Sequence, residues 1–186
     1  ASKLFQNHLV QPALTGLISI YAKYRITLMT MSMSHTPEPG TVHIYPILKN
    51  GEQAPEEILK QVLAVCDARV VRPLTDHVFC KQPTEVSYDI DLTYYINTDD
   101  MSRANAIKEA VTKAVDDYVL WQRSKMGRDI NPSKLIALVM AAGANRVDVR
   151  APVFTHISDG AKSDGFAVEL AVNKTKSILN GGVEDE

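Results

Sequence analysis

The chain has 186 residues, of which 45% are hydrophobic and 23% charged, and its net charge is -2. A chain of that length can bury a real core in one or two small domains, and that composition excludes a disordered polymer. Near-neutral charge gives no signature of a nucleic-acid or membrane-surface binder, and no apolar run has the length of a membrane span or the form of a signal peptide. In chain order, residues 1–25 read as an irregular helical segment. Leu4, Phe5, Leu9 and Val10 form one stripe, Pro12 interrupts it, and Leu17, Ile20, Tyr21 and Tyr24 resume it. From Leu28 the period changes to two: Met29, Met31 and Met33 alternate with Thr30, Ser32 and Ser34, a strand whose methionines form a core face or an adaptable contact face. The turn Pro37-Glu38-Pro39-Gly40 separates it from a second strand, Val42 to Leu48, expected to be its hairpin partner.

Pro55, Glu56 and Glu57 suit the start of a helix, where Pro has no N–H to lose and the helix dipole favours carboxylates. Ile58, Val62, Val65 and Cys66 supply its apolar face, and Val78 to Lys81 is a short strand after the Arg72-Pro73 break. Val86 to Ile96 alternates strictly. Tyr88, Ile90, Leu92, Tyr94 and Ile96 share one face, while Ser87, Asp89, Asp91 and Thr93 share the other. Asn97 to Asp100 offers N-caps for the longest helix, Met101 to about Met126, with Ile107, Val111, Ala114, Tyr118 and Trp121 as its buried stripe. A second helix starts at Asn131-Pro132 with Leu135, Ile136, Val139 and Met140 apolar. Val147 and Val149 then form a strand, Ser158 to Gly165 a polar loop, and Phe166 to Val172 the last strand. The expected architecture is therefore α+β. A helical segment spans 1–25 and two small α/β sandwich lobes follow in tandem at 26–84 and 85–175, with mixed or antiparallel sheets and helices on one face. A flexible acidic tail occupies 176–186.

Chemical motifs are few. Asp76-His77 pairs a carboxylate with an imidazole, but neighbours in a strand point to opposite faces, and no Gly-x-Ser-x-Gly elbow supplies a nucleophile. Asp89 and Asp91 share a strand face with no further oxygen ligands, so solvent exposure accounts for both. His8, His35, His43, His77 and His156 lack ligand spacing, and Cys66 and Cys80 are not close in sequence. Reduced, buried thiols are the expectation and a disulfide the alternative. Gly181-Gly182 opens no helix and is no phosphate loop. Arg123, Lys125, Arg128 and Lys134 cluster around a helix end, where dipole compensation explains them. Tyr45, Ile47 and Tyr95 lie on nominally outer strand faces, suited to an interface or to burial within the fold. No catalytic, cofactor-binding or metal-ligating residue is predicted, and the chain is not expected to be an enzyme.

An ordered set of short motifs remains: Pro37 to Gly40 then Val42-His43-Ile44, Arg72-Pro73, Asp76-His77-Val78, Tyr88-Asp89-Ile90, Gly127-Arg128-Asp129 and Arg146-Val147. In that order they resemble the C-terminal portion of the baseplate J-like proteins of contractile-tailed bacteriophages, over roughly Tyr21 to Val172. The methionine-rich Ile26 to Met33 and the final strand and tail depart from the pattern. The resemblance implies a wedge component of the tail baseplate, without cofactor. It would contact other copies of itself, other wedge proteins, and hub and sheath proteins in a ring around the hub, relaying the contraction signal. The implied location is the virion, after assembly in the host cytoplasm. It also implies a missing N-terminal region, in keeping with a chain that opens Ala1-Ser2 without Met. The same part in a phage-tail-like bacteriocin or injection system is an alternative, and an α+β enzyme or ligand-binding domain is the rival from another class.

Overall fold

A computed structural model of the chain describes residues 26–27, 41–48, 51–67, 77–162 and 165–185. The expected N-terminal helix, the methionine strand, the Pro37 to Gly40 turn, Arg72-Pro73 and Asp76 lie outside them. The architecture is α+β and divides into two compact units, residues 1–84 with 159–168, and residues 85–158 with 169–186.

In the first unit, β1 (Ile26–Thr27) pairs antiparallel with β3 (Ile47–Leu48), and β2 (Thr41–Ile44) pairs parallel with β4 (His77–Cys80). The single strand expected at Val42 to Leu48 is thus two. Pro46, which has no N–H for a ladder, stands at the break, and the two halves join different neighbours. Helix α1 (Glu56–Cys66) turns Ile58, Val62 and Cys66 inward onto Val42, Ala54 and Val78, with Ile44, Leu48 and Leu63 at the margin. Two glutamines brace the loops across this core. Gln53 Nε2 donates to the carbonyl of Pro83, and Gln82 Nε2 to that of Ala54, each at 3.0 Å. Tyr45 is buried and Ile47 fully so, which settles these two for burial within the fold.

The second unit is built on β5 (Thr84–Asn97), a 14-residue strand. Its inner face is the predicted one, with Tyr88, Ile90, Leu92, Tyr94 and Ile96 all buried. Strand β6 (Arg146–Ala151) pairs antiparallel along it, Tyr95 opposite Arg146 and Leu92 opposite Val149. In the sheet order β6-β5-β8-β7 the neighbour of β5 on its other side is β8 (Gly165–Glu184), which belongs to this unit from Glu169 on; β7 (Asp159–Lys162) and the first residues of β8, joined as an antiparallel hairpin, are counted with the first unit. Contacts between β8 and β5 advance in step. Asn173 Nδ2 donates to the Tyr88 carbonyl, Thr175 reaches Asp89 and Gly181 meets Tyr95, so these two strands run in the same direction and the sheet is mixed.

Two expectations are corrected here. The loop at Ser158 to Gly165 is mostly the β7–β8 hairpin, and the last strand does not stop at Val172 but continues through the supposed flexible tail to Glu184. Its polar residues conceal it in the sequence because their partners are distant ones. Lys176 pairs with Asp116, Glu184 with Arg146, and Thr98 donates to Asp185.

Asn97 accepts a hydrogen bond from the Asp99 amide at 3.0 Å, opening a 3-10 turn (Thr98–Arg103) that leads into helix α2 (Ala104–Arg123). Its buried stripe is Ile107, Val111, Val115, Tyr118 and Gln122. Ala114 and Trp121, expected in it, sit half-buried at its edge, because the face turned to the core is centred about 40° further round the helix, where Val115 and Gln122 lie. Helix α3 (Pro132–Ala141), capped by the Asn131 side chain on the Ser133 amide, buries Leu135 and Val139 and leaves Met140 exposed. Both helices lie on the inner face of β5. Tyr88 and Tyr118 meet there edge to face, with ring centroids 6.4 Å apart.

Candidate functional site

Two surfaces of the second unit carry the polar chemistry. The first is the outer face of the sheet. Alternation along β5 sends Asp89, Asp91, Thr93 and Tyr95 outward, and each meets a partner from β6 or β8. Arg150 donates through Nε and Nη2 to the two oxygens of Asp91 at 2.7 and 2.5 Å, and through Nη1 to Thr93 at 2.9 Å. The Arg150 hydrogen bond holds the Asp91 carboxyl below its ordinary pKa. Asp89 accepts from the Thr175 hydroxyl at 2.7 Å. Arg146 lies 3.8 Å from the Tyr95 ring centroid and is gripped by Asp148 at 2.6 Å and Glu184 at 2.5 Å. The hydrogen bond from Arg146 lowers the pKa of Glu184.

Gly182, with φ at 105°, interrupts the alternation of β8, so that Glu184 reaches the same face as Gly181. Asp89 and Asp91 are therefore taken up by side chains of neighbouring strands. Among the described residues no group of three or more His, Cys, Asp or Glu is placed to hold a metal.

The second surface is the Gly127-Arg128-Asp129-Ile130 turn after α2. Gly127 adopts φ 64°, a left-handed conformation that glycine takes without strain, and its amide donates to the Glu169 carbonyl at 2.9 Å. Arg128 folds back over the helix end. Its guanidinium donates to the Trp121 carbonyl and to Ser124 Oγ and lies 4.1 Å from the Trp121 ring centroid. Burial lowers its pKa. Asp129 Oδ1 accepts from the Ile157 amide and faces His156 Nδ1, each at 2.8 Å, while Ile130 and Thr155 exchange backbone hydrogen bonds. Gln122 completes the joint from inside: fully buried, it donates Nε2 to the carbonyls of Arg128 and Asp129 at 2.7 and 3.2 Å. Nothing in the local sequence marks Gln122 as a site residue. The available signal is a polar residue at the next position of the stripe that Tyr118 belongs to.

The remaining candidates are scattered. His77 is exposed at the start of β4, and its expected neighbour Asp76 lies outside the described residues, as do His8 and His35. His43 packs edge-on against Phe79, with ring centroids 5.3 Å apart; burial, and secondarily Lys81, lowers its pKa. Cys66 and Cys80 are free thiols, and burial pushes them up to about 11 and about 12, with Cys66 adding to the shift of Cys80. Such thiols are poor nucleophiles at neutral pH. Of the basic cluster, Arg128 and Lys134 gather on Trp121, whose ring centroid lies 5.8 Å from the Lys134 ammonium. No described helix is long and apolar enough to cross a membrane.

Comparison with known proteins agrees with the order of the motifs. Residues 28–82 match the Baseplate J-like central domain, and residues 88–159 match the Baseplate J-like protein C-terminal domain, together about two thirds of the chain. Baseplate protein J of Escherichia phage P2 is 30% identical over 138 residues, which cover 74% of this chain and 44% of that protein. The chain thus spans less than half the length of this curated relative. Two successive domains of one family, central and then C-terminal, match on one chain: the chain belongs to the baseplate J-like family.

Proposed function

We propose that this chain is a structural part of the baseplate of a contractile phage tail and that it works by protein–protein contact rather than by catalysis. The observation that carries the reading is the succession of a central and a C-terminal baseplate J-like domain on one chain, in that order. The chemistry of the second unit is consistent with it. Asp89 and Asp91 are held by Thr175 and Arg150, and the polar network around Gly127 holds structure together. In this proposal the chain is a wedge component that contacts other copies of itself and neighbouring baseplate proteins, with contacts reaching hub and sheath. The ring so formed surrounds the hub and relays the contraction signal. Each α+β unit offers one contact surface, because a ring needs two different patches per subunit.

Co-expression with the other baseplate proteins of the same particle, followed by size exclusion with light scattering, tests the proposal. A complex of defined mass containing this chain is expected. Elution of the chain alone, with the partners assembling without it, would refute the wedge role.

A further inference from the structure

The sheet of the second unit has two edges, and the sequence treats them differently. At one edge, β6 carries Arg146, Asp148 and Arg150, its pairing shifts register opposite Asp91 and Leu92, and Pro152 follows it directly. Charges, an irregular ladder and a proline are the means by which proteins keep an edge strand from pairing further. The other edge is β8. Strand β7 covers it only opposite Gly165 to Val168, and no described strand pairs with that side of β8 from Asn173 to Val183. The run Ser177 to Val183 contains no charge and no proline. Thr175 and Gly181 meet Asp89 and Tyr95 on the outer face, so Leu179, at the same alternation, points outward, and it is 53% exposed. An uncharged open edge of this kind is a template for another strand.

We propose that this edge of β8 pairs with the same edge of a second copy of the chain, antiparallel and centred near Leu179, so that the sheets of the two copies continue into one another. Charge selects both the copy and its direction. The strand is basic at Lys174 and Lys176, and the chain is acidic at Glu184 and Asp185. Antiparallel pairing about a two-fold axis brings each basic end to the acidic end of the other copy, twice by symmetry. Parallel pairing would set like charges side by side. Lys176 and Glu184 are already paired with Asp116 and Arg146, so charge sets the direction. The main-chain hydrogen bonds and the facing Leu179 side chains supply the affinity. The inference rests on the reading that copies of this chain contact one another, and it names the surface by which they do.

Sedimentation equilibrium of the whole chain tests it. A monomer–dimer equilibrium is expected, with a dissociation constant on the order of 10–100 μM for so small an interface. Amide hydrogen exchange from Ser177 to Gly181 should slow as the concentration rises through that value. Leu179→Lys and Leu179→Glu should each weaken the dimer by about tenfold while leaving far-ultraviolet circular dichroism unchanged. An equimolar mixture of the two variants should restore it, because position 179 of one copy then meets the opposite charge in the other. The proposal is overturned by a chain that stays monomeric through that range, by a dimer that both variants leave intact, or by a mixture no more associated than either variant alone. None of these outcomes touches assembly with the other baseplate proteins, which co-expression tests separately.

Discussion

Gly181 lies so close to Tyr95 that a Cβ at this position would stand 2.5 Å from Tyr95 Cζ and 2.8 Å from Thr93 Cγ2. The missing side chain is what lets the Tyr95 ring settle over β8 beside Arg146. Gly181→Ala should therefore destabilise the second unit by about 1–3 kcal/mol through overpacking. Urea unfolding of the single variant and of Gly181→Ala with Tyr95→Ser checks this. The second change should restore most of the loss, and equal losses in both would remove Tyr95 from the explanation.

The facing of β5 makes a paired prediction. Ile90 is fully buried between β5 and the helices, so Ile90→Ala should cost on the order of 2–5 kcal/mol. Asp89 is exposed and accepts one hydrogen bond from Thr175, and Asp89→Ala should cost about 1 kcal/mol or less. Chemical denaturation ranks the two, and a larger loss at Asp89 would reverse the facing of the strand.

Gln122 should behave as a buried structural polar residue. Gln122→Leu keeps the volume but removes the donor shared by the Arg128 and Asp129 carbonyls, at a cost of about 1–3 kcal/mol. The loss should appear as faster amide hydrogen exchange at Ile130 and Thr155, whose mutual bonds depend on that turn. Unchanged exchange there would mean that the turn holds without Gln122.

The outer-face ion pairs set a pH dependence. Asp91 and Glu184 release their protons at lower pH in the folded chain than in the unfolded one, so folding releases protons in the acid range. Their stabilisation is fully present above the ordinary carboxylate range near about 4 and is lost as pH falls through the depressed values. Unfolding free energies measured from pH 7 downward should fall more steeply for the native sequence than for Arg150→Gln. Identical slopes would show that Asp91 contributes nothing.

Cys66 and Cys80, raised by burial to about 11 and about 12, should resist a water-soluble thiol reagent at pH 8 and react fully in denaturant. Rapid labelling of either in the native chain would contradict their placement in the first unit's core.

Strict alternation made β5 legible, because one buried and one solvent face is the commonest reason for period two. The same rule failed for β8. Asn173, Thr175, Lys176 and Ser177 are polar at successive positions, and their strand character comes from partners that local sequence does not display, such as Asp89 and Asp116. Gly181 and Gly182 read as tail for a similar reason: one is required by contact with Tyr95, the other by its turn of the backbone before Glu184. The Gly127 to Asp129 motif was visible as a motif, but its function as a joint depends on Gln122, Ile157 and Glu169 reaching it from three other elements.

Imaging of the particle that carries this chain tests the central proposal most directly. Cryo-electron microscopy of intact tails should show density fitting β5, α2 and α3 in the baseplate, between the hub and the sheath, repeated around the tail axis. Density for these elements in the capsid, or in no part of the tail, would contradict the account.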